Sequence, residues 1–138
     1  MDAREYMEQV VVYDIKIRNK VDAIRALQEA ATDTSAAPFD RAGGKTQLLG
    51  SKLEALVCKY VETERKLISD MEELYSNISE RIETIEKLPT VEYDVLYMTY
   101  IQGKDLQEIA DKYHRSYRWA QEKRRRALDD LQITLDRQ

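Results

Sequence analysis

From Ser51 to Leu88 the chain sets an apolar side chain at nearly every third or fourth position: Leu53, Val57, Tyr60, Leu67, Met71, Leu74, Ile78, Ile82, Ile85 and Leu88. No glycine or proline interrupts them. That spacing places them on one stripe of an α-helix. The step between Tyr60 and Leu67 falls on Glu64, a polar break in the stripe. At about 1.5 Å per residue such a helix is roughly 55 Å long. A helix of that length cannot bury its stripe in a compact domain of its own size. It must lie along another helix of the chain, along a second copy of itself, or both. Pro89 ends it, because proline cannot continue a helix but suits the first turn of a new one.

The partner within the chain is the first thirty residues. Tyr6, Val10, Tyr13, Ile17, Val21, Ile24 and Leu27 recur at three and four, which predicts one amphipathic helix over 5–30. It is rich in β-branched residues, so it needs tertiary support. Between the two helices, Pro38, the Gly43–Gly44 pair and several Ser, Thr and Asp residues predict a loop over 31–50. Turn formers are scarce overall, with 4 Gly and 2 Pro in 138 residues, and no convincing strand pattern occurs. An all-α fold follows. Charges recur throughout the first 31 residues, so no signal peptide or membrane span is expected there, and no other segment is apolar enough. Cys58 is the only cysteine, which excludes an internal disulfide and a multi-cysteine zinc site. We expect a cytoplasmic protein.

The last third reads as three short helices. Val91, Leu96, Met98, Tyr100 and Ile101 belong to the first, with Gly103 just past its end. Asp105, with Glu108 three residues on, is a capping-box start for the second, 106–113. His114-Arg115-Ser116 is the turn, and Ser116 caps a third helix over 116–135. Ile109 and Ala110 are expected to face Ala120, Ala127, Leu128 and Leu131. Small Ala110 and Ala120 would let the helices cross closely.

Positive charge is segregated in this region. From Lys112 to Arg126 the net charge is +6 in 15 residues, which leaves −10 for the rest of a chain whose total is −4. A short capped helix, a tight turn and a longer capped helix is the helix-turn-helix order. An α-helix fits the major groove of double-stranded DNA and reads base edges with its first turns. The outward residues Tyr117, Arg118, Gln121 and Arg125 are candidate base contacts. Lys112, Arg115, Arg124 and Arg126 are placed for phosphates, with His114 and Ser116 beside them in the turn.

The stretch "LQEIADKYHRSYRWAQEKRRRALDDL" resembles the C-terminal helix-turn-helix of sigma-70 type factors. The likeness rests on Glu108-Ile109-Ala110, the capping Ser116, and Ala127, Leu128 and Leu131. The preceding "VEYDVLYMTYIQGKD" is similar to the helix leading into that unit. Joined to a long helical N-terminal part, the whole is similar to small phage regulators of the ArpU/RinA sort. The resemblance implies a helical hairpin or coiled coil for oligomerisation over 1–88 and a three-helix sigma-like DNA-binding unit over 89–138. It carries base reading onto Tyr117, Arg118, Gln121 and Glu122. Two residues depart from the pattern. His114 stands where glycine is common, which requires a left-handed backbone or a different turn, and Lys123 stands where an apolar residue is usual.

The remaining signals favour plain structural roles. Gly43-Gly44-Lys45-Thr46 resembles part of a phosphate loop, but Phe39 occupies the required upstream glycine position. Cys58 is expected to be a small core residue, and Trp119 to pack against a neighbouring helix. Glu72–Glu73 and Asp129–Asp130 are adjacent pairs that diverge on a helix. No catalytic group, metal site or cofactor site is expected, and the chain does not read as an enzyme.

The function expected is a sequence-specific transcriptional regulator of phage or prophage origin, dimeric through its long helices, in the host bacterial cytoplasm. Two alternatives remain. One is a small terminase-like DNA-packaging subunit. The other is a sigma-like protein that binds RNA polymerase.

Overall fold

The computed structural model describes residues 1–36 and 46–138; for 31–36 and 46–53 only the backbone is described. The described residues are helical and contain no strand. Helix α1 spans Ala3–Ala36 and α2 spans Thr46–Ile85. Helix α3 covers Thr90–Leu96 and passes into a π-helical turn, Tyr97–Ile101. Helix α4 covers Leu106–Lys112 and α5 covers Tyr117–Asp136.

The long helices run further than the expected loop at 31–50 allows. α1 is described as far as Ala36, six residues into the expected loop that starts at 31. Gly50 is helical, so α2 starts at Thr46 rather than Ser51. Residues 37–45, with most of the Gly-Gly-Lys-Thr stretch, lie outside the described residues. α2 ends at Ile85, and bonds from Lys87 N to Thr84 O (3.3 Å) and Leu88 N to Ile85 O (3.0 Å) tighten its last turn.

The chain divides into two compact units, Met1–Ile15 with Tyr75–Gln138, and Lys16–Leu74. The expected boundary at 88/89 does not coincide with that division. In the first unit, Ala3, Met7 and Val10 of α1 share a core with Ile85, Leu88, Leu96, Ala127 and Leu131. The amide of Ala3 donates to Gln132 Oε1 at 2.7 Å, fixing the start of α1 on α5. Arg81 is buried beside them, its guanidinium 4.6 Å from the centroid of the Tyr6 ring and 5.0 Å from that of Tyr13. It donates to the carbonyls of Tyr6 (3.1 Å) and Asn77 (3.2 Å) and to the Gln9 side chain. The cation is therefore held by three acceptors and two aromatic rings, the kind of partnering a buried charge needs.

A second cluster joins Val95, Met98, Leu106, Ile109, Ala110 and Ala120. Ala110 and Ala120 do meet at the α4–α5 crossing. Ala127, Leu128 and Leu131, expected there too, instead serve the first cluster. They lie two turns further along α5, beyond the reach of the seven-residue α4.

In the second unit Ile17 is buried, and Val21, Ile24, Leu27, Tyr60, Leu67, Met71 and Leu74 are half-buried along the two helices. Lys20 Nζ lies 3.3 Å from Asp70 Oδ2. Two expectations fail here. Cys58 is exposed, and Val57 is 57% exposed, so neither is a core residue of the single chain. Val61 and Ile68 are exposed on the same helix.

Candidate nucleic-acid interface

The connection from α4 to α5 is built by its caps. Asp105 accepts a bond from the Glu108 amide at 2.9 Å and starts α4. α4 ends in a Schellman motif: Arg115 N donates to Ala110 O (2.9 Å) and His114 N to Asp111 O (3.3 Å). His114 takes the left-handed position at φ 53° that this motif usually gives to glycine. Ser116 Oγ then accepts from the Trp119 amide at 3.1 Å and starts α5. Gly103 supplies the earlier reversal at φ 69°, and space around it is open, so its backbone angle alone requires glycine.

With Ala120, Ala127 and Leu131 buried, the opposite face of α5 is set. Arg118, Glu122, Arg125 and Asp129 recur at four and three along it, all exposed. Tyr117 and Gln121 are exposed on the flank, and so are His114, Arg115 and Ser116 in the turn. The basic part of the face is confined to the first turns, because Asp129 closes it. Arg118 is 87% exposed, and its Nε lies 3.6 Å from Glu122 Oε1. Arg126 is exposed, while Lys123 and Arg124 are half-buried. Lys123 thus lies at the margin of α5's packed side. Trp119 is packed, its ring 5.4 Å from that of Tyr113, with the Arg115 guanidinium 5.9 Å from its centroid.

Lys112 is already engaged. Its Nζ lies 2.7 Å from Asp94 Oδ2 on α3, and the Tyr113 hydroxyl donates to the same carboxylate. Burial pushes Asp94 up, but the Lys112 and Tyr113 bonds outweigh it and hold the carboxyl below its usual range. The Tyr113 phenol is pushed up to about 12 by burial and by that acceptor. Sequence spacing could not show this network, because Asp94 and Lys112 lie 18 residues apart on different helices.

On one flank of α5, Tyr100 is half-buried, and its phenol is pushed up by burial against the pull of Arg124 and Arg4. On the other, Glu92 of α3 is buried beside Asp130. Among the described residues, no group of three or more His, Cys, Asp or Glu side chains is placed to hold a metal. No helix among them is long and apolar enough to cross a membrane.

The chain matches no family model, no curated protein and no solved structure.

Proposed function

We propose that the protein is a sequence-specific DNA-binding transcriptional regulator of phage or prophage origin, acting in the bacterial cytoplasm. α4, the His114 turn and α5 form its helix-turn-helix, of the sigma-70 C-terminal sort, and α5 enters the major groove. The carrying observation is that Arg118, Gln121, Arg125 and Arg126 lie exposed in the first half of α5, opposite a side packed in the core. Arg118, Gln121 and Arg125 read bases, with Tyr117 and Glu122 at the margin. His114, Arg115, Ser116, Arg124 and Arg126 hold phosphates, and Lys112 joins them only by leaving Asp94. The positive end of α5's dipole points toward the same anions.

The long helices make the protein a homo-oligomer, a dimer in this reading. Selection of bound duplexes from a random pool tests the proposal; recovery of one shared sequence supports it, and recovery of an unenriched pool opposes it.

Exposed Val57, Val61 and Ile68 on α2 also favour a second reading, a small terminase-like packaging subunit. Molar mass by light scattering separates a dimer from a ring of many copies. Contact with RNA polymerase is a further role for the same sigma-like unit, and one that does not require specific DNA binding.

A further inference from the structure

Glu92 is 5% exposed, and its Oε2 has no hydrogen-bond partner. It sits in the first turn of α3, where the helix dipole favours an anion, yet its setting is hostile to one. Its other neighbour is the Asp130 carboxyl of α5, within hydrogen-bonding reach. Two carboxyl groups can bond to each other only when one carries a proton, since ionised carboxylates are acceptors alone. The charged groups acting on Glu92 all come from α5: Asp130, and Lys123 and Arg126, which favour its ionisation. These recur at three and four along one edge of that helix.

We propose that Glu92 and Asp130 form a proton-operated clamp, which holds α5 against α3 while one proton is shared and loosens when that proton leaves to water. Burial, then the bond to Asp130 and its charge, push Glu92 up from its ordinary 4.5 to about 7, against the pull of Lys123 and Arg126. The folded state therefore holds a proton that the unfolded chain releases near pH 4.5. The stabilisation is complete below that value and is lost as pH rises through about 7. Above it, two carboxylates face each other and draw Lys123 and Arg126 inward.

Arg126 also belongs to the proposed phosphate set. If the DNA reading holds, on which this step alone rests, the clamp makes DNA affinity fall as pH rises through neutrality.

The test is thermal unfolding of the full chain, as wild type, Glu92→Gln and Asp130→Asn, between pH 5 and pH 9. The wild type should lose several degrees between pH 6 and pH 8. Glu92→Gln should be flat over that range and melt above the wild type at pH 8, because an amide donates to Asp130 at any pH. Parallel curves for all three chains overturn the clamp. The carboxyl carbon resonance of Glu92 in the wild type decides independently if a variant fails to fold. Titration near neutrality supports the clamp, and titration near 4.5 overturns it. A duplex that binds at no pH would defeat the DNA reading while leaving the melting result standing.

Discussion

Lys112 Nζ and Asp94 Oδ2 lie 2.7 Å apart, so one of the cations expected to meet phosphate is already held by a carboxylate on α3. Asp94→Asn should therefore act in opposite directions on two readouts. Stability falls by about 1–2 kcal/mol in urea, since both Lys112 and Tyr113 lose an ionised acceptor. Affinity for duplex DNA rises, since Lys112 becomes available. The wild-type pH dependence follows from the depressed Asp94 carboxyl: this contribution is present above the usual carboxylate range and is lost as pH falls through the folded value. A fall in both readouts would count against the competition.

Arg118 and Glu122 form an exposed pair at 3.6 Å, which is worth little to stability but screens the cation. Glu122→Gln should tighten binding to DNA of any sequence several-fold and leave the melting temperature nearly unchanged. Arg118→Ala should reduce discrimination between duplexes, whereas Arg124→Ala should weaken all duplexes alike. Competition binding with matched and scrambled duplexes measures both. Equal loss of discrimination in the two variants would contradict the division between base and phosphate contacts.

His114 at φ 53° bears the strain of a left-handed backbone with a side chain. His114→Gly should stabilise the chain by up to about 1 kcal/mol in urea unfolding, because the Schellman position favours glycine. A destabilised variant would mean that the imidazole makes a contact worth more than the strain.

Arg81 is the buried cation of the first unit, bonded to two carbonyls and stacked on two tyrosine rings. Arg81→Met should cost roughly 2–4 kcal/mol, because those carbonyls lose a charged donor and both rings lose the cation. Chemical denaturation reads the loss, and a cost below about 0.5 kcal/mol, typical of a surface change, would show the contacts to be incidental.

The helices, their caps and the packed inner side of α5 were legible because each rests on local chemistry: three–four spacing, Asp105, Ser116 and Gly103. What failed to show was partnership. Periodicity marks a face without naming what covers it, so Met7 and Ala3 gave no sign that α1 begins on α5. Nothing in the sequence marks Glu92 or Arg81, because only tertiary placement buries them. Val57 and Cys58 continue the apolar pattern of α2 yet lie exposed, since the stripe is wider than one neighbouring helix covers. The basic residues of α4 and α5 were legible as charge, but the Asp94 carboxylate that occupies Lys112 comes from α3.

The most direct test of the central claim is the salt dependence of duplex binding by fluorescence anisotropy, for the wild type and for a chain carrying Arg115→Ala, Arg124→Ala and Arg126→Ala together. About six to eight neutralised phosphates predict a log–log slope near −5 to −7 for the wild type. The triple variant should give a clearly shallower slope, since these are the proposed phosphate contacts, with its melting temperature nearly preserved, since Arg115 and Arg126 are exposed and Arg124 only half-buried. A wild type that fails to bind duplex DNA at low salt, or a triple variant that binds with the same slope, would contradict it.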